Sequence, residues 1–377
     1  MIDFTVTRIT NEFNLYCSLF FFIIIGLYWR RATIRRPYGQ SHGTGWFYLL
    51  VAVFAVTSFF NGDFFGYQAL VSSYYHGIEG FHLEKIYEYI IELTGQNYLL
   101  FRVVVWGGAT ILFYYITKIY KVNALQALFV MFLLYTIQYT YARATLAMAV
   151  YFLGFSIFSK YQAKHNAIGI ILGIIIIVAS LLFHNSMAVM IILTIFYFIP
   201  INKRTLYPII IVLAFFSIFM DQFISTFIDN LLGLGSSSLD ARLEEILEGG
   251  MGERDRGYRT IFGGILLIWQ YVPFYLPFLI ISKIMIDKES IIKSQLMTSL
   301  FRITFSVVLL STGLLLFSSG SLTFFYRYLY MSFIPLSILT VFLFGEGFMS
   351  KKIFNTILWV CGGYNMFIFL GYILRVL

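Results

Sequence analysis

Charge is what this chain has least of: only 12% of its 377 residues are Asp, Glu, Lys or Arg. A soluble domain of that length needs far more charge to cover its surface. Cysteine is scarce as well. Cys17 and Cys361 both fall inside apolar runs, which excludes a disulfide framework and a cysteine metal site. No GxxxxGK[ST] loop, HExxH or GxSxG motif occurs, so nucleotide hydrolysis, zinc proteolysis and serine-hydrolase chemistry have no support. An enzyme built on this chain is expected to use no cofactor and no metal, and to act on a substrate that carries its own leaving group. An internal repeat of the kind many transporters show is also missing.

What the chain has in excess is apolar residues, 60% of the total, with a mean hydropathy of +0.83. Apolar runs of roughly 17–25 residues recur from end to end, the length that crosses a bilayer as a helix. Nothing alternates in the manner of barrel strands. The pattern predicts an all-α polytopic membrane protein, a single integral membrane domain over residues 1–377 with about twelve transmembrane helices. They are expected near 13–29, 46–60, 98–117, 124–141, 143–159, 166–183, 185–200, 206–220, 260–281, 294–317, 328–344 and 353–373. The first run is followed by Arg30 and Arg31 with no small-residue cleavage site, so it reads as a retained span.

The formal net charge of +8 raises the question of a nucleic-acid partner, and the distribution answers it. The cations stand in short clusters between apolar runs: Arg30, Arg31, Arg35 and Arg36; Lys118 and Lys121; Lys160 and Lys164; Lys203 and Arg204; Lys283, Lys288 and Lys293; Lys351 and Lys352. Only Asp287, Glu289 and Glu346 share those loops. Such clusters mark the cytoplasmic side, so both termini are expected outside and no nucleic acid is expected as a partner. The opposite loops keep most of the acid, and two of them are long, about 61–97 and 221–259. In the first, FHLEKIYEYIIEL spaces Glu84, Glu88 and Glu92 by four and turns Phe81, Ile86, Ile90 and Leu93 elsewhere, an amphipathic surface helix. In the second, Phe223, Ile224, Phe227, Ile228, Leu231 and Leu232 repeat the pattern, and a helix capped at Ser237 leads to the glycine- and arginine-rich GGMGERDRGYR.

Spacing then locates several polar residues. Thirty-eight residues separate Lys121 from Lys160, and thirty-eight separate Lys164 from Lys203. Each interval holds just two spans of ~20 residues. The outward turns therefore fall near residue 140, beside Arg143, and at His184; the midpoint of the interval from Lys293 to Lys351 puts Arg327 at an outer end. Each residue has a plain structural alternative, as a snorkelling anchor, a satisfied histidine or an aromatic-belt cation. Arg254, Arg256 and Arg259 interleave with Glu253 and Asp255 as a solvated loop face would. Together, arginines converging on one outer face suit an anionic ligand, because guanidinium groups grip phosphate oxygens in pairs. His184, or else Asp63 or Glu79, is the candidate for taking a proton from an attacking hydroxyl. Tyr67, Tyr74 and Tyr75 place aromatic rings in the first long loop, where Tyr commonly anchors at the membrane interface. Arg102 and Arg302 lie within spans, where a charge pairs or faces a cavity, and spacing names no partner for either.

The order of motifs resembles the EpsG-like branch of the Wzy-type polysaccharide (O-antigen) polymerases. The carriers are NGDFFGYQALVSSYY, then GIEGFH with a later QNY, then YARATLAMAV, FHNSMAV and FFYRYLYMSFIPL, over most of residues 55–345. The family commonly has Gln after the helix-opening arginine, and Ala144 stands there in this chain. The resemblance implies a GT-C-like bundle in the bacterial inner membrane with its active site facing the periplasm. It implies an inverting, metal-independent glycosyltransferase that moves a growing glycan from undecaprenyl pyrophosphate to the non-reducing end of a new lipid-linked unit. Arg143 and Arg327, with Arg254, Arg256 or Arg259, would bind the pyrophosphate. The lipid-linked oligosaccharide, membrane lipid and a chain-length regulator protein are the expected partners. Two neighbouring functions are an O-antigen ligase, which transfers to a lipid core, and a non-enzymatic flippase for the same lipid-linked unit.

Overall fold

A computed structural model gives the fold. The structure describes residues 23, 26–29, 32–35, 45, 71, 84–139, 142–213, 215, 261–288, 291, 292, 294–317 and 328–367. All regular structure among them is helical. In chain order the helices are α1 (Lys85–Leu93), α2 (Tyr98–Ile119), α3 (Ala124–Tyr139), α4 (Ala142–Gln162), α5 (Ala167–Ala179), α6 (Met187–Leu193), α7 (Ile261–Asp287), α8 (Gln295–Phe317), α9 (Phe333–Gly345) and α10 (Lys351–Ile357). Residues 1–184 with 337–377 form one compact unit, and 185–336 form a second.

Among the described residues, four stretches are long and apolar enough to cross a membrane: Tyr98–Ile119, Arg143–Gln162, Gln295–Leu314 and Tyr328–Gly345. The expected spans at 98–117, 143–159, 294–317 and 328–344 correspond to them. Three other expected spans are shorter apolar helices: Ala124–Tyr135, Ala167–Leu182 and Met187–Phe198. Their winding is not uniform: Tyr135 leaves helical geometry at φ −130°, ψ 23°, and the second and third end in 3-10 turns at Ser180–Leu182 and Thr194–Phe198. Apolar side chains face outward along α5, with Ile168 81% and Ile175 58% exposed. Leu100, Val103 and Ile111 do the same along α2. Such surfaces belong against lipid, and the protein is a polytopic helical membrane protein.

In the first unit α3 is the central element. It is apolar nearly all round, and every described side chain from Ala124 to Tyr135 is buried, as such a helix must be. Its few polar groups are tied to backbone. Gln126 Nε2 donates to the Ala32 carbonyl, and Asn365 Nδ2 donates to the Leu134 carbonyl beside the bend and to Cys361 O at 3.1 Å. In lipid a backbone group without a partner costs several kcal/mol, so these bonds hold the bend in place.

The α4–α5 hairpin packs through glycine. A Cβ on Gly154 would lie 2.7 Å from Ile177 N, and one on Gly173 would lie 2.5 Å from Phe158 N. Small residues let two backbones come this close, and van der Waals contact then replaces the hydrophobic drive that lipid removes. The turns after α2 and α4 use residues in the left-handed region, Lys121 (φ 54°) and His165 (φ 51°). Asn123 and Asn166 then cap the next helices, accepting from Gln126 N and Gly169 N at 2.9 Å each.

In the second unit α7 carries Pro273 and Pro277 inside 27 helical residues. Each proline removes one helical donor. Tyr275 and Thr312 hydroxyls hydrogen bond at 2.9 Å and join α7 to α8.

Candidate functional site

The hairpins of the first unit give it two chemically different ends. The heads of α2 and α4 and the tail of α5 share one end, with His184 in the turn that follows. The turns after α2 and α4, with Lys118, Lys121, Lys160 and Lys164, lie at the other. Arg143 is the second residue of α4. Its Nη1 donates to Glu84 Oε2 at 2.9 Å, with the two side chains 21% and 14% exposed. Glu84 is the N-cap residue of α1, in extended backbone geometry (φ −61°, ψ 134°). A carboxylate is therefore held against the positive end of a 21-residue helix and its guanidinium, the place where a helix favours negative charge.

Tyr87 secures the arrangement. Its side chain is fully buried, and its hydroxyl donates to the Arg143 carbonyl at 2.9 Å. Its ring stands edge-on to Phe183 with centroids 6.5 Å apart, and lies 6.4 Å from the ring of Phe101. One tyrosine thus ties α1 to the head of α4, to the head of α2 and to the residue before His184. His184 itself is half-buried, and its N–H donates to the Ser180 carbonyl at 3.2 Å. Among the described residues no group of three or more His, Cys, Asp or Glu side chains is arranged to hold a metal ion.

Chemically, this end offers a guanidinium at a helix head, a carboxylate already bound to it, and a titratable imidazole in the neighbouring turn. That is a setting for an anion. A family model described as the EpsG family matches residues 44–376. The chain belongs to the EpsG family. No curated protein and no solved structure matches it significantly. EpsG membership points to a membrane polysaccharide-polymerase function with a lipid-linked glycan as substrate.

Of the residues that sequence singles out, Arg143 and His184 thus stand at one end of one unit, joined through Tyr87 and Phe183. Asp63, Glu79, Tyr67, Tyr74, Tyr75, Arg254, Arg256, Arg259 and Arg327 lie outside the described residues, as does the whole of the second long loop. Sequence reasoning misses Glu84 and Tyr87. It counts Glu84 with Glu88 and Glu92 as one stripe of a helix beginning near Phe81, whereas the helix starts at Lys85 and Glu84 caps it. The buried face of α1 is Tyr87, Ile90 and Ile91, while Leu93, expected on the apolar face of a surface helix, is 80% exposed. The two intramembrane arginines acquire surroundings as well. Arg102 is buried with its guanidinium carbon 5.7 Å from the Tyr98 ring centre, and Arg302 donates from Nη1 to the Tyr197 carbonyl at 2.8 Å.

Proposed function

We propose that this EpsG-family protein polymerises lipid-linked oligosaccharide repeat units. It transfers the growing glycan from undecaprenyl pyrophosphate to the non-reducing end of a new lipid-linked unit. The observation that carries the proposal is the Arg143–Glu84 pair at the head of α4, tied by Tyr87 to the His184 turn. In the reaction an acceptor hydroxyl oxygen attacks the anomeric carbon, the bond from that carbon to the pyrophosphate oxygen breaks, and the pyrophosphate leaves with the electron pair. The configuration inverts, and no metal is needed. Arg143, joined by Arg327 and by Arg254, Arg256 or Arg259, stabilises the charge that develops on the leaving group. His184 takes the hydroxyl proton, with Asp63 and Glu79 as the alternative bases. Tyr67 and Tyr74 stack on the sugars.

The surrounding architecture belongs to the same proposal: one integral domain of about twelve spans with a GT-C-like bundle, in the bacterial inner membrane. The Arg143 end faces the periplasm and both termini lie outside. The positive-inside distribution of lysines supports that orientation. A chain-length regulator protein is the proposed partner. The test is extension of a native lipid-pyrophosphate repeat unit by purified protein in the absence of nucleotide and metal. Arg143→Ala abolishes extension in a folded protein, and full activity in that variant sinks the role given to Arg143. Deletion in cells leaves single repeat units on surface lipid; loss of every unit points instead to a ligase or a flippase.

A further inference from the structure

Glu84 occupies the N-cap position of α1, where a side-chain oxygen usually accepts from an amide of the first turn. Its carboxylate makes no such bond and instead accepts from Arg143 Nη1 at 2.9 Å. The side chain therefore has two favourable places: against Arg143, or against the positive head of its own helix. Both partners keep some exposure, 14% for Glu84 and 21% for Arg143, so an incoming anion can reach the pair. The two ends of α1 are held differently. At the tail, Thr94 Oγ1 donates to the Ile90 and Ile91 carbonyls at 2.8 and 3.1 Å, and the Asn97 side chain accepts from Leu100 N at 3.1 Å. Gly95 and Gln96 turn the chain between them in left-handed geometry, at φ 59° and 61°. The head is joined to α4 by the Glu84 ion pair and the Tyr87 hydroxyl bond. The tail bonds are local and uncharged, whereas the head depends in part on a charge pair that another anion can contest.

We propose that Glu84 is a positioning residue that competes with the substrate pyrophosphate for Arg143 and is displaced to the head of its own helix when that group binds. The inference rests on the reading of Arg143 as a pyrophosphate ligand and adds a regulation of that same site. A pyrophosphate carries more charge than one carboxylate and offers paired oxygens to the guanidinium fork. It therefore displaces Glu84, whereas a singly charged anion meets a competitor of equal charge already in place. The competition sets selectivity for the pyrophosphate group and weakens its apparent affinity by the fraction of time that Arg143 is released. The head of α1 is the part that moves, and the turn at Gly95 and Gln96 is its pivot.

The experiment is calorimetric titration of the full chain with inorganic pyrophosphate in uncharged detergent, at constant ionic strength set with chloride. Glu84→Gln keeps the side-chain length and an oxygen that accepts from Arg143 but removes the competing charge. It is expected to bind pyrophosphate about tenfold more tightly than wild type. Glu84→Asp retains the charge and should stay closer to wild type than to Glu84→Gln. In the extension assay, Glu84→Gln should lower KM for the lipid-linked unit without raising kcat. A purely structural anchor predicts the opposite, since loosening the head of α1 would weaken binding. Equal or weaker binding by Glu84→Gln overturns the inference, and pyrophosphate binding by wild type then leaves the reading of Arg143 standing. No binding by either protein overturns both. Hydrogen exchange on the wild type needs no variant: pyrophosphate should speed exchange of the α1 amides, and unchanged or slower exchange there overturns the displacement.

Discussion

Removing the Glu84–Arg143 pair one partner at a time tests the geometry of the candidate site without reference to any substrate. Opposite charges 2.9 Å apart attract by roughly 6 kcal/mol when the effective dielectric is near 20. Most of that is offset by the cost of drawing two ions out of water, which is large here because the side chains keep only 14% and 21% of their exposure. Exposed pairs retain about 0.2–1 kcal/mol, whereas breaking a buried one costs about 3–5 kcal/mol. This pair lies between those limits, nearer the buried one. Glu84→Gln and Arg143→Gln are each expected to destabilise the protein by about 2–3 kcal/mol. The double variant should recover about 1–2 kcal/mol of their sum, since neither ion is then left alone. The assay is a double-mutant cycle by reversible unfolding in detergent, each variant measured in the absence of ligand. A coupling below about 0.5 kcal/mol would refute the reasoning. The pair would then be a surface contact, and α1 would need another anchor at the head of α4.

Other outcomes follow from the same structure. Tyr87→Phe keeps the ring between Phe101 and Phe183 but removes the bond to the Arg143 carbonyl, costing about 0.5–1.5 kcal/mol in the same unfolding assay. It should also lower glycan extension more than it lowers stability, because the head of α4 loses its tie to α1. Gly173→Ala forces a Cβ to within 2.5 Å of the Phe158 backbone, and backbone cannot rotate away. A loss of about 1–3 kcal/mol is expected, and wild-type stability would mean that α4 and α5 are not in close contact. Lys203→Ala is the control at the other extreme. Its pair with Asp287 is 76% and 47% exposed, so stability should stay within about 0.5 kcal/mol of wild type.

Much of the scaffold is legible in the sequence because membrane helices obey a length rule and cations mark their ends. The equal intervals Lys121–Lys160 and Lys164–Lys203 locate turns beside Arg143 and at His184; α3 ends at Tyr139 and α4 starts at Ala142, and helix resumes at Met187 after His184. Hydropathy does not register a change of helical winding, however. The bend at Tyr135 and the 3-10 turns at Ser180 and Thr194 preserve apolar character while changing the winding, so the sequence pattern gives no sign of them. Glu84 is hidden by its own regularity. A four-residue repeat of Glu84, Glu88 and Glu92 looks like one solvated face, and only the position of the first helical residue separates the cap from the stripe. The ring contacts of Tyr87 are likewise long-range and leave no local trace.

The position of Arg143 follows from these constraints taken together. A cation at the end of a span away from the lysine-rich loops is costly to place, and snorkelling alone would leave it at the interface with a free choice of rotamers. Here the arginine side chain, 21% exposed, is held by a carboxylate at the head of a separate helix, which is itself pinned through Tyr87. A mere anchor has no use for such support. The role proposed for Arg143 at the leaving group calls for it, because charge stabilisation depends on donors that are already in place when the bond breaks. Under the proposed function, Glu84 compensates that charge until the pyrophosphate arrives at the same helix head. The pair is thus expected to exchange partners as lipid-linked substrate binds, with α1 moving only as far as the release of one carboxylate requires.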